Sequence, residues 1–251
     1  MDAPGTALPV VLAMYVPAAA EGGRFEVLEW LVQQGCAINE TACAGAIKGG
    51  HRDILEWLVI KKGCRIDQYT CADICAAVAE GGHLDILKWL VNDKGCRINA
   101  CTYATAAGGH LDILIWLREH ERPCPWDYRT CARAAEAGHV QVLEWARENE
   151  CPWHEGNCWR GAIREGHLNV LMWARENGYQ WDVKTCSFAA TYGHLQIVQW
   201  AHANKCPWDE QTCAFAAFEG HLDVVKWAHQ NGCPWDEHTC ASCTDFEIGI
   251  F

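Results

Sequence analysis

A Gly-His pair followed six residues later by Trp recurs along this chain at His51, His83, His110, His139, His167, His194 and His221, at intervals of 32, 27, 29, 28, 27 and 27 residues. The partners are Trp57, Trp89, Trp116, Trp145, Trp173, Trp200 and Trp227, and Arg24 with Trp30 forms a further copy 27 residues before His51. A period this short leaves each copy only one small supersecondary unit. Such a unit cannot enclose a core of its own and must share its apolar faces with the copies on either side. One closed globule is thereby excluded, and a stack of nearest-neighbour contacts is expected.

A second set of columns runs between these landmarks. Cys124-Pro125-Trp126-Asp127 returns as Cys151-Pro152-Trp153-His154, Cys206-Pro207-Trp208-Asp209 and Cys233-Pro234-Trp235-Asp236, with Tyr179-Gln180-Trp181-Asp182 as a variant. Earlier in the chain the same place reads Cys36-Ala37-Ile38-Asn39, Cys64-Arg65-Ile66-Asp67 and Cys96-Arg97-Ile98-Asn99, so Ile and Trp alternate in one apolar position. A Thr-Cys pair follows in most copies, as at Thr130-Cys131, Thr185-Cys186 and Thr212-Cys213.

Each unit reads as two short helices. The first is slim and Ala-rich, as in Cys131 to Gly138, where Ala134-Ala135 allows close approach and Gly138 supplies a C-terminal stop. The second runs from about His139 to Asn149. Its Val140, Val142, Leu143, Trp145 and Ala146 spread over more than one helical face, so it must be covered from both sides. The two Trp columns, at strict repeat phase inside apolar runs, read as interlocking core rather than as a stacking platform for sugars or bases.

These residues resemble the ankyrin repeat. The run Thr212-Cys213-Ala214-Phe215-Ala216-Ala217-Phe218-Glu219-Gly220-His221-Leu222-Asp223-Val224-Val225-Lys226 is similar to the family's TPLHxAAxxGHLEVVK, one position shorter in the first helix, and Gly232-Cys233-Pro234-Trp235-Asp236 stands where the family has GADVN. The likeness spans almost the whole chain. It implies an all-α, ankyrin-like helical-repeat solenoid of about eight helix-turn-helix units. The array occupies residues 1–238, with a degenerate first repeat over 1–38, and 239–251 form a truncated ninth repeat or tail. The unit is about 27 residues here against the family's 33, and the missing part falls where the family builds its β-hairpin finger. Recognition through long hairpin tips is therefore not expected.

The ends and one interval are irregular. The apolar run from Leu8 to Ala20 has the length of a signal core but no positive charge before it, and Ala19-Ala20-Glu21-Gly22-Gly23 falls in register with a first helix. Neither end resembles the polar cap that a solenoid needs, which suggests a fragment or terminal helices covered by a partner. The 32-residue interval between His51 and His83 carries about four extra residues in the segment Thr70 to Gly82, close to one helical turn. That helix is expected to protrude by roughly 6 Å.

Composition narrows the function. The chain of 251 residues carries a formal charge of −12, which repels phosphate backbones and anionic headgroups, so neither nucleic acid nor membrane is expected as a partner. No apolar run is long enough for a membrane helix. The 17 Cys and 12 His invite a metal-binding or redox-responsive alternative. Equivalent residues of stacked units, however, lie about 8 to 10 Å apart, whereas ligands of one zinc lie within about 4 Å of each other. A site would have to combine columns, as with Cys124, Cys131 and His139, and CPWDxxTC lacks the CxxC spacing of structural zinc sites. The cysteines therefore read as buried, reduced small hydrophobes. A row of identical histidines does not suit catalysis, which needs one activated group beside its own base, so the His column reads as loop bracing. No catalytic or nucleotide motif is present, and no enzymatic activity or cofactor is expected.

Positions that escape the repeat carry the choice of partner. Residues two, five and six after the first-helix Cys share one helical face. They are Arg133, Glu136 and Ala137, then Phe188, Thr191 and Tyr192, then Phe215, Phe218 and Glu219. In ankyrin-like stacks this helix lines the concave side, so the resemblance implies a protein-binding scaffold whose contacts include Phe188, Tyr192, Phe215, Phe218, Arg133 and Glu136. It also implies a cytoplasmic, intracellular setting.

Overall fold

The computed structural model describes residues 12–64, 71–98, 101–178, 180 and 182–234, and among them every regular element is helical. They divide between Trp126 and Asp127 into two compact units. In the N-terminal unit the first helices are α1 (Tyr15–Glu21), α3 (Glu40–Lys48), α5 (Cys71–Glu80) and α7 (Cys101–Gly108). Their partners are α2 (Phe25–Gln33), α4 (Arg52–Glu56, continued by a π-turn over Trp57–Lys61), α6 (Leu84–Asn92) and α8 (Leu111–Glu119). In the C-terminal unit the first helices are α9 (Tyr128–Glu136), α11 (Glu155–Arg164), α13 (Val183–Thr191) and α15 (Glu210–Phe218). Their partners are α10 (Val140–Glu148), α12 (Leu168–Glu176), α14 (Leu195–Ala203) and α16 (Leu222–Gln230).

Burial follows the repeat. Second helices bury Ile54, Leu55 and Leu58, then Ile86, Leu87 and Leu90, and their equivalents in the later copies, while in the first copy Val27 is exposed and only Leu28 and Leu31 are buried. First helices bury the small pairs Ala134-Ala135, Ala189-Ala190 and Ala216-Ala217. At this length neither helix is stable alone, so its stability comes from packing.

The turn between the two helices of a repeat carries the contact with the preceding repeat. After α15, Gly220 N–H bonds Ala217 O at 3.1 Å and His221 N–H bonds Ala216 O at 2.8 Å, the crossed pair of a Schellman motif. The His side chain then reaches back one repeat. His221 Nε2–H donates to Thr191 O at 3.0 Å, and His51, His110 and His194 do the same to Glu21, Glu80 and Arg164 at 3.0, 2.9 and 2.8 Å. These acceptors belong to the last carbonyls of a first helix, which lack partners within the helix. Gly193, at φ 73°, lies beneath the His221 ring, and a Cβ there would come within 2.5 Å of Nδ1. The bracing expected of the His column is thus a clamp between successive repeats.

The Asp of the CPWD column caps the first helix. Asp127 accepts from Arg129 N–H at 2.8 Å, Asp209 from Gln211 N–H at 3.2 Å, Asp182 from Thr185 N–H at 3.1 Å, and Asn39 from Thr41 N–H at 3.1 Å.

Two expectations need correction. Among the described residues α5 has 10 residues against 9 in α3 and α9, so from Cys71 onward the extra full turn expected between His51 and His83 does not appear. The second helix of that repeat carries a π-turn over Trp57–Lys61, the usual outcome of a single insertion inside a helix. The Trp columns do interlock, with ring centroids 5.8 Å apart for Trp153 and Trp173 and 5.9 Å for Trp208 and Trp227. Trp89 and Trp173 are buried as expected, whereas others sit at the edge of the core. Trp30 is 50% exposed, and cations lie over several others, as with Arg118 at 4.2 Å from Trp126 and Lys62 at 4.8 Å from Trp57. Where an indole face reaches the surface, it is better covered by a cation than by water.

Removal of the clamp bond in His221→Ala is expected to cost about 1 kcal/mol, and Gly193→Ala more, because it adds a left-handed-backbone penalty of about 1–2 kcal/mol to the clash. The double variant should cost less than the sum, since the new methyl no longer meets a ring; urea unfolding of the four proteins measures the coupling. Asp127→Ala is expected to lose about 1 kcal/mol. The Arg129 side chain holds the Asp127 carboxyl below its usual range, so this contribution is complete above about pH 4 and fades as pH falls through the depressed value. Unfolding followed against pH reads it.

Candidate functional site

First helices pack against one another unevenly. α1 with α3, α5 with α7, α9 with α11, and α13 with α15 approach closely, whereas α3 with α5 and α11 with α13 stand further apart. The close pairs rely on small residues. The Gly161 position of α11 faces the Glu136 backbone and Cβ of α9, where an added Cβ would lie 3.1 Å from its neighbour. Each open pair bears a cavity, lined by Arg160 and Phe188 between α11 and α13 and by smaller groups such as Cys43, Ala44 and Ala77 between α3 and α5.

In the C-terminal unit a cavity of about 400 Å³ is lined by Ala132 and Glu136 of α9, Arg160, Gly161 and Arg164 of α11, Phe188 of α13, and Tyr192 just beyond it. Glu136 is held between two guanidiniums, Arg133 at 3.2 Å and Arg164, which also pairs with Glu165 at 2.8 Å. The Arg160 guanidinium lies 5.4 Å from the Phe188 ring centre and 5.5 Å from that of Trp159. Phe188 is half-buried, its ring tilted against Trp159 at 6.4 Å. The result is an apolar floor flanked by guanidiniums in a protein of net charge −12. It suits a carboxylate or phosphate carried next to an apolar group.

The structure thus brings Glu136, Phe188 and Tyr192 together and ties Arg133 to them through Glu136. Tyr192 is 44% exposed. Phe215 and Phe218 stand on α15, 41% and 62% exposed, outside that cavity. Sequence reasoning passed over Arg160 and Arg164, although they lie two and six residues after Cys158 and obey the same face rule; Ile163, five after it, is buried.

In the N-terminal unit the open pair forms a larger cavity of about 700 Å³ between α3 and α5. Cys43, Ala44, Ile47, Cys64, Ile74 and Ala77 line its apolar wall. Glu40, Asp73 and Glu80 stand at its exposed edge with Lys48, which pairs with Glu21 at 2.7 Å.

Among the described residues the free cysteines are buried as expected, apart from the half-buried Cys64, and their columns meet in pairs. The Cys that follows each second helix folds back onto the start of its own repeat. Cys233, Cys206 and Cys151 direct their thiols at the carbonyls of the cap residues Asp209, Asp182 and Asp127, at 3.3, 3.5 and 3.6 Å. There it meets the first-helix Cys: Cys43 with Cys64, Cys186 with Cys206, and Cys213 with Cys233 share side-chain hydrogen bonds. Burial and the neighbouring Cys64 push the Cys43 thiol up, and the bond to Cys206 followed by burial does the same to Cys186. Cys71 and Cys96 go further and form a disulfide, with Cα atoms 5.5 Å apart, so these two are not reduced thiols. Among the described residues no group of three or more His, Cys, Asp or Glu side chains could hold a metal ion, and none of the helices is long and apolar enough to cross a membrane.

A family model described as ankyrin repeats (3 copies) matches residues 17–102, and one described as ankyrin repeats (many copies) matches residues 186–229. Among solved structures, the crystal structure of the human ASB11 ankyrin repeat domain is similar, with a TM-score of 0.46 and 16% identity over 59% of this chain and 83% of that one. No curated protein matches the chain.

Exposed ion pairs contribute about 0–1 kcal/mol, so Arg160→Ala with Arg164→Ala is expected to lower the unfolding free energy from urea titration by no more than about that amount. A larger loss would make these arginines part of the packing.

Proposed function

Because the chain belongs to the ankyrin repeat family, we propose that it acts as a non-enzymatic scaffold that binds a protein partner through its first-helix face. Ankyrin repeats are protein–protein interaction modules. The observation that carries the reading is the cavity of Arg160, Arg164, Phe188 and Tyr192, where exposed aromatic groups stand beside guanidiniums. Aromatic and Arg side chains dominate interface hot spots. The charge favours a partner segment that pairs an acidic side chain with an apolar one, and Phe215 and Phe218 extend the contact along α15. A cytoplasmic setting belongs to the same proposal, since thiols such as Cys186 and Cys213 stay reduced there. The buried Cys71–Cys96 bond is an exception that its burial protects.

Affinity capture from a lysate, comparing the native chain with a Phe188→Ser, Tyr192→Ser, Phe218→Ser variant, tests the site. The captured protein is expected to be lost from the variant while its helical circular dichroism is retained. An unchanged captured set on a folded variant rejects this face.

A further inference from the structure

The dithiols differ in one respect that matters for chemistry. Cys186, Cys206, Cys213 and Cys233 are buried, but Cys64 is only half-buried, and with Cys43 it lines the 700 Å³ cavity between α3 and α5. The two thiols already share a hydrogen bond. In the following repeat Cys71–Cys96 makes the same kind of link, from the first helix to the turn after the second. The fold therefore brings the thiol that follows a second helix within bonding reach of its own first helix, and at Cys64 that thiol is partly exposed while Cys43 behind it is buried.

We propose that Cys43 and Cys64 form a thiol–disulfide exchange site, oxidised through the α3/α5 cavity by small neutral or cationic disulfides. Cys64 is the entry group. Its Sγ gives its proton to solvent and attacks one sulfur of R–S–S–R; the S–S bond breaks, and RS⁻ leaves and is protonated. Cys43 Sγ then loses its proton and attacks Cys64 Sγ, which forms the Cys43–Cys64 bond and expels the second RSH. Two electrons pass from the protein's thiols to the small disulfide. Burial and a raised pKa keep Cys43 from acting first, so it resolves the mixed disulfide. The carboxylates of Glu40, Asp73 and Glu80 at the cavity edge select the charge of the reagent, because Lys48 is already paired with Glu21.

The test treats the native full chain with cystamine, which is cationic, or with oxidised glutathione, which is anionic, then alkylates with iodoacetamide and maps tryptic peptides without reduction. Cleavage after Lys48, Arg52, Lys61 and Lys62 separates the two cysteines. The expected product is a Cys43–Cys64 cross-linked pair with no retained adduct, formed roughly tenfold faster with cystamine at low salt and with the advantage shrinking as salt rises. Cys43→Ser should stop at an adduct on Cys64, and Cys64→Ser should leave Cys43 unmodified, each checked for retained helicity. Full alkylation of Cys43 and Cys64 in the native chain after oxidant, a lasting adduct on Cys64, or equal rates for the two reagents would overturn the proposal; the native-chain result does not depend on the variants folding.

Discussion

The imidazole that crosses from one repeat to the last free carbonyls of the preceding first helix is the interaction on which the rest of the structure depends. Helices of nine residues do not persist alone in water, and their last carbonyls are the weakest point of each. His110 closes such an end at Glu80, and His194 closes one at Arg164. The donor in each case belongs to the next repeat, so the same bond that finishes one helix fixes the distance to its neighbour. Small residues then let first helices approach, and Ile, Leu and Val of the second helices fill the space behind.

Because the clamp acts through backbone carbonyls, it places no demand on outward side chains of the first helices. Those positions vary freely along the chain: small in α3 and α5, cationic in α11, aromatic in α13 and α15. Alternation of close and open helix pairs follows from the same freedom. Between α11 and α13, Arg160 and Phe188 line the gap; between α3 and α5 it is lined by smaller groups such as Ala44 and Ala77. Binding surface and thiol access both come from these open pairs, one in each compact unit.

Much of this was legible in the sequence. The Gly-His period, the Ala pairs and the apolar second helices announce paired helices that share their faces, and the helices lie where those signals put them. The face rule two, five and six after the Cys located Phe188, Tyr192 and Glu136 in one cavity. Other features were hidden for physical reasons. A His that bonds a carbonyl 30 residues earlier looks, along the chain, like a local brace. Cys43 and Cys64 stand 21 positions apart and belong to different columns, and only the return of the second helix brings them together. Trp at strict phase resembles core, which holds for Trp89 and Trp173 but not for Trp30, which stands half exposed. Insertion length alone could not place the π-turn over Trp57–Lys61.

The clamp has a direct spectroscopic signature. A carbonyl can only accept, so Nε2 of His51, His110, His194 and His221 must carry the proton. Nitrogen chemical shifts of the imidazoles, taken near pH 8.5 where a free ring is neutral, are predicted to show a protonated Nε2 and an unprotonated Nδ1 at all four. A protonated Nδ1 with a bare Nε2, or the averaged shifts of a ring turning freely in solvent, would contradict the clamp and with it the account of how these repeats hold together.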